Sequence, residues 1–227
     1  MNQVISICNP EALDTLTAIC TELGLSAVVT LHGKGTAAQS MLDLLGIENN
    51  EKRIVLAVAG EEETGKFIRQ QKRRMFVGVP GGGIVVAVPI KSVGGGKNMS
   101  YLSGGKQNVK CAPKFNFDYE LVVVITNGGT TDLVMDAARK AGARGGTVIH
   151  GKGTGEKGGS KFFSVSLANE REVVLIVAEA ERKGEIMSSI LAEAGPDSPA
   201  GSVVFSMPVS EVAGIRSFAE EAEEKEK

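Results

Sequence analysis

The chain repeats itself. His32-Gly33-Lys34-Gly35-Thr36 recurs as His150-Gly151-Lys152-Gly153-Thr154, a shift of 118 residues, and these histidines are the only two in the protein. Gly24 matches Gly142 at the same shift. Glu51 to Ala59 matches Glu170 to Ala178 at a shift of 119, and Pro89, Val93 and Gly95 match Pro208, Val212 and Gly214 at that same shift. One inserted residue accounts for the change. A register kept over so long a span marks a duplication, with halves near 1–95 and 118–217.

Both halves carry the same succession of patterns. Val4 to Ile7 and Leu121 to Thr126 are short apolar runs suited to buried strands. Pro10 to Leu23 and Thr131 to Ala141 place apolar residues at helical spacing and end at Gly24 and Gly142. Second strands are expected at Ala27 to Leu31 and Thr147 to Ile149, and third strands at Arg53 to Ala59 and Val173 to Ala178. Helices follow at Glu62 to Arg74 and Ala180 to Ala194. Fourth strands run over Ile84 to Ile90 and Ser202 to Val209, with Pro89 and Pro208 predicting an edge or a bulge. The order βαββαβ, read twice, predicts an α+β protein of two tandem ferredoxin-like domains, each an antiparallel sheet with helices on one face. The expected boundaries are 1–95 for the first domain, 96–117 for a Gly/Lys/Asn-rich linker, 118–217 for the second domain and 218–227 for a charged tail.

Composition narrows the function. Of 227 residues 29 are glycine, against a usual share of about 7%. No Gly-X-Y period exists, so collagen is excluded. A hydrophobic share of 42% excludes wholesale disorder. A net charge of −2 leaves no basic footprint for nucleic acid. No apolar run approaches a membrane span. The N-terminus lacks the pattern of a secretory signal. Cys8, Cys20 and Cys111 lack metal-type spacing and read as reduced thiols, with a packing role for Cys8 and Cys20. These features predict a cytoplasmic protein that is neither a membrane protein nor a nucleic-acid binder.

The glycines of the repeated motif sit where strands run into loops. Alternating glycines can turn backbone N–H groups toward an anion, and a lysine between them adds charge. The candidate ligand-binding residues are therefore Gly33, Lys34 and Gly35 in the first half, and His150, Gly151, Lys152, Gly153 and Thr154 in the second. A sharp turn or bulge at a strand end explains the same glycines without a ligand. One histidine per half is too few for a metal site unless copies meet, so no metal ligand is assigned. Gly60 to Lys66 has P-loop spacing, yet Phe67 replaces the Ser or Thr that would hold Mg²⁺, and Glu61, Glu62 and Glu63 suit a helix N-terminus instead. Leu102 to Gln107 echoes a transport-ATPase signature by chance. No catalytic residue is assigned, because no nucleophile elbow, carboxylate pair or HExxH motif is present.

Arg144-Gly145-Gly146-Thr147-Val148-Ile149-His150-Gly151-Lys152-Gly153, with the order of elements in both halves, resembles the P-II nitrogen regulatory proteins. There a Gly-x-Thr-Val strand runs into a Gly-x-Gly at the base of a loop, the T-loop. The resemblance implies a non-enzymatic sensor that binds ATP or ADP, often with 2-oxoglutarate, and docks on a transporter or enzyme of nitrogen metabolism. It implies a homo-oligomer, trimeric or pseudo-hexameric. It also implies that Thr147 contacts the nucleotide, that Gly151 and Gly153 sit near its phosphates, and that Lys152 adds charge. Gly33, Lys34 and Gly35 would be the first-half counterparts. The chain departs from the family where a Thr-Gly-x-x-Gly-Asp-Gly-Lys segment should precede the fourth strand. Val79 to Gly83 and Gly195 to Gly201 stand there instead, and the phosphate-gripping lysine is missing. Two other readings remain open: a CutA-type metal-binding trimer using Cys8, His32 and His150, and an enzyme with a site at a domain interface.

Overall fold

A computed structural model describes residues 1–36, 50–78, 82–93, 102, 114–153, 161–162, 165–166 and 170–215. The expected linker lies largely outside these residues, and the charged tail wholly so.

The first half forms β1 (Asn2–Cys8), a short 3-10 turn (Pro10–Ala12), α1 (Leu13–Glu22), β2 (Ser26–Gly35), β3 (Glu51–Ala59), α2 (Glu61–Arg74) and β4 (Ile84–Pro89). The second half forms β5 (Tyr119–Asn127), α3 (Thr131–Lys140), β6 (Thr147–Lys152), the two-residue strands β7 (Lys161–Phe162) and β8 (Val165–Ser166), β9 (Glu170–Glu179), α4 (Ala180–Ala194) and β10 (Val203–Pro208). A last short strand, β11 (Glu211–Ala213), follows. The fold is α+β and ferredoxin-like, with antiparallel strands and helices on one face. The duplication holds at residue level. A shift of 118 carries α1 onto α3, and a shift of 119 carries β4 onto β10.

Local chemistry explains the shared boundaries. Both first helices end in a Schellman turn. Gly24, at φ +61°, donates to the Thr21 carbonyl at 3.0 Å, and Leu25 donates to the Cys20 carbonyl at 2.9 Å. Gly142, at φ +92°, and Ala143 repeat the pair on Arg139 and Ala138. The P-loop-like Gly60 to Lys66 is a helix start. Gly60 is the N-cap, three glutamates occupy the first turn, and Lys66 pairs with Glu62 at 2.6 Å. Pro208 closes β10, an edge strand. Pro89 closes β4, which has β1 on one side and β11 on the other. Neither proline sits in a bulge. Pro89 is tolerated because β11 pairs only with Val85 to Ala87 and stops short of it.

The chain divides into two compact units that interleave in sequence. One comprises Met1–Leu31, Arg53–Asn116 and Val209–Lys227, and the other His32–Lys52 and Phe117–Pro208. In the first unit β1 lies between β3 and β4, in register from Asn2↔Ala59 to Cys8↔Arg53 and from Asn2↔Pro89 to Ile7↔Ile84. Val4, Cys8, Val55, Ala57, Val85 and Ala87 point to one face and pack with Leu16, Ile19, Cys20, Phe67 and Ile68 of the helices. Cys8 and Cys20 are buried free thiols, and burial pushes the Cys20 thiol up to about 11. In the second unit the strand order is β10-β5-β9-β6, with Gly33 to Gly35 of β2 paired to β6. Val122, Val124, Val148, Val174 and Ile176 pack with Val134, Met135, Ile186 and Ile190.

Candidate functional site

A cleft of about 370 Å³ opens in the second unit where β6 and β9 run past the start of α3. It is lined by Gly128, His150, Gly151, Lys152, Glu170, Arg171 and Glu172. Strand pairing assembles it. His150 faces Glu172, Gly151 faces Arg171, and Lys152 faces Glu170 across the β6–β9 ladder. Alternation puts His150 and Glu172 on the face that Val148 and Val174 share, just beyond the apolar core.

Glu172 is the buried member, at 7% exposure. Its Oε2 accepts a hydrogen bond from the Thr131 hydroxyl at 2.6 Å, and its Oε1 lies 3.4 Å from His150 Nδ1. The backbone N–H groups of Gly129 and Thr131 also donate to it. Burial opposes ionisation of this carboxyl, but the Thr131 hydroxyl, the two backbone donors and the nearby His150 outweigh burial and hold it below the usual carboxylate range. Thr130, the N-cap of α3, makes no side-chain cap bond. Glu172 therefore serves the orphan donors of that helix start from a neighbouring strand.

The turn before α3 is shaped for this. Gly129 has φ +77°, and a Cβ on Gly128 would stand 2.8 Å from the Glu170 Cβ. Gly128 N–H donates to the Glu170 carbonyl at 3.0 Å. Behind it, the Asn127 carboxamide donates to the Pro199 carbonyl at 2.9 Å, and its oxygen accepts from the Arg171 guanidinium. The buried Thr126 hydroxyl meets Thr130 Oγ1 at 2.7 Å, Ser202 Oγ at 3.0 Å and the Ala200 carbonyl at 3.0 Å. These contacts tie the Gly195–Gly201 segment to the cleft floor.

Of the residues singled out from sequence, His150, Gly151 and Lys152 come together in this cleft. Gly153 follows directly at the end of β6, and Thr154 lies outside the described residues. Thr147 is buried at the other end of β6, paired with Leu175 and with Gly35. Gly33, Lys34 and Gly35 lie on β2, opposite Ile149, Val148 and Thr147. Sequence reasoning missed Gly128, Thr131 and the Glu170-Arg171-Glu172 run. Two adjacent glycines between a predicted strand and a predicted helix were the available signal.

Residues 119–218 match the family model described as nitrogen regulatory protein P-II. The matched segment is the second half of the duplication and covers less than half of the chain. The match takes in the whole of the cleft. The description of that family is of a regulatory protein. Among solved structures, GlnK of B. subtilis is similar at 16% identity over 41% of this chain and 86% of its own, with a TM-score of 0.33. The Arabidopsis thaliana PII bound to citrate is similar at 22% identity over 42% of this chain and 78% of its own, with a TM-score of 0.32. The B. subtilis GlnK–ATP complex is similar at 14% identity over 44% and 97%, with a TM-score of 0.33. Identities and scores this low add no weight to the family match. No curated protein matches the chain by sequence. Among the described residues no three His, Cys, Asp or Glu side chains are grouped to hold a metal, and no helix is long and apolar enough to cross a membrane.

Proposed function

We propose that the P-II domain senses a small anionic effector and that the bound effector changes how the protein engages a regulated partner. The observation that carries this reading is the cleft, in which His150, Lys152 and Arg171 meet while Glu172 is already engaged by Thr131 and the start of α3. Glu172 is thus compensated by its own hydrogen-bond donors, and the exposed Lys152 is the cation the cleft presents to an incoming anion. The exposed Lys152 ammonium would pair with a phosphate or carboxylate. Gly151 keeps the wall between His150 and Lys152 low, and Gly153 follows at the end of β6.

An adenine nucleotide, ATP or ADP, is the proposed effector class, with 2-oxoglutarate as a second ligand. The partner is a transporter or enzyme, engaged through the loops that follow β2 and β6. A cytoplasmic homo-oligomer, trimeric or pseudo-hexameric, is the proposed working form. The proposed repeats span 1–95 and 118–217 in sequence, and the compact units interleave across those bounds. Calorimetric titration with ATP, ADP and 2-oxoglutarate tests the reading. Heat with at least one of them supports it, and silence with all three refutes it.

A further inference from the structure

We infer that each chain holds a single effector, in the P-II domain's cleft, and that the matching motif of the first half serves as a strand clamp instead. This rests on the anion reading above and narrows it to one of the two repeats.

The two halves can be compared position by position. At a shift of 118 the cleft turn Asn127-Gly128-Gly129-Thr130-Thr131 corresponds to Asn9-Pro10-Glu11-Ala12-Leu13. At a shift of 119 Glu172 corresponds to Arg53. The first half thus replaces two glycines by Pro10 and Glu11, a hydroxyl donor by Leu13, and the buried carboxylate by a cation. The charge arrangement that defines the cleft does not recur.

The motif's backbone is also committed differently. Gly35 N–H donates to the Asn50 carbonyl at 2.8 Å, and Thr36 N–H donates to the Gly146 carbonyl at 3.1 Å. The Thr36 hydroxyl donates to that same carbonyl at 2.9 Å and accepts from Gly146 N–H at 2.7 Å. The Arg139 guanidinium holds the Thr36 carbonyl, and the Asn50 carboxamide holds that of Gly35. An amide already spent on a carbonyl cannot also cradle an anion.

The glycines themselves point the same way. A Cβ on Gly35 would collide with the Asn50 side chain and stand 3.2 Å from Lys52 Cε. Packing of the clamp therefore demands glycine there. A Cβ on Gly151 would meet only the Arg171 carbonyl, at 3.9 Å. Packing tolerates a side chain at 151, so what glycine preserves there is the open wall of the cleft.

Calorimetry on the full chain, with ATP, ADP and 2-oxoglutarate as separate probes, decides the matter. The expected stoichiometry is one ligand per chain. Lys152→Ala should weaken binding about tenfold or more, as loss of a charge-assisted contact does, while Lys34→Ala leaves it unchanged. Both lysines are exposed, so thermal unfolding without ligand should not move for either variant. Two ligands per chain, equal losses from the two variants, or no loss from Lys152→Ala would overturn the inference while leaving an effector sensor intact. Silence of the wild-type chain with every probe would remove the sensor reading, and this inference with it.

Discussion

Replacing Gln71 by isoleucine should stabilise the first unit. Gln71 is fully buried on α2, and neither its Nε2 nor its Oε1 has a hydrogen-bond partner. Ser6 on β1 is equally buried, and its Oγ is also unpartnered. The two groups lie in one layer of the core. β3 runs antiparallel to β1, and α2 turns back from its end, so α2 follows the direction of β1. The Asn2 carboxamide bonds Thr64 Oγ1 at 3.1 Å and aligns the starts of strand and helix. From there Ser6 lies about 13 Å along the strand and Gln71 about 10.5 Å along the helix. The repeat supplies the remedy. Val124 and Ile190 stand at the corresponding positions of the second half, both fully buried in its core.

A buried donor or acceptor without a partner costs about 1–3 kcal/mol. Gln71→Ile removes one of each and keeps an apolar side chain in the layer, so a gain of about 2 kcal/mol is expected. At a urea slope of about 2 kcal/mol/M the midpoint rises by about 1 M. Urea unfolding followed by circular dichroism measures this, and where two transitions separate, only the one belonging to the unit that contains β1 should move. Ser6→Val, made alone and together with Gln71→Ile, tests the shared layer through the coupling of the two changes. An unchanged or lowered midpoint for Gln71→Ile would refute the reasoning, because it would mean that the amide is satisfied in solution, as by a bound water.

Three further outcomes are expected. Glu172 has a carboxyl held below its ordinary range by the donors around it, so its contribution to stability is present above the unfolded value and is lost as pH falls through the lower folded value. The urea midpoint of the wild type should therefore drop more steeply on acidification below about pH 4.5 than that of Glu172→Gln, and parallel profiles would count against the capping role. Gly24→Ala should cost about 1 kcal/mol from backbone strain alone, since φ is +61° and no atom stands within 4 Å of the added Cβ, and thermal melts would show it. Thr126→Val leaves Thr130 and Ser202 without their shared hydroxyl and should cost about 1–2 kcal/mol, with faster amide exchange at the Gly195–Gly201 turn as the local readout.

Much of the fold was legible because it is local. Helix spacing and the terminal glycines placed α1 and α3, and the Schellman bonds at Gly24 and Gly142 are made within a single turn of chain. Short apolar runs placed β1, β4, β5 and β10 to within a few residues. The site was legible only in part. His150, Gly151 and Lys152 were visible as a motif, but Glu172 and Thr131 are 41 residues apart and meet only through the β6–β9 register and the turn at Gly128.

By itself, then, the amino-acid sequence determined the elements, their order and their duplication, since these follow from contacts a few residues apart. The tertiary structure decided which of the described segments complete each unit, bringing 32–36 and 50–52 to one and 209–215 to the other. It also decided the different fates of two identical motifs. His-Gly-Lys-Gly-Thr carries the same local propensity at 32–36 and at 150–154. Whether its amides are spent or its side chains face an open cleft depends on neighbours: Asn50 and Gly146 for the first copy, Glu172 and Gly128 for the second. Those neighbours are set by long-range strand pairing, which no period in the sequence encodes.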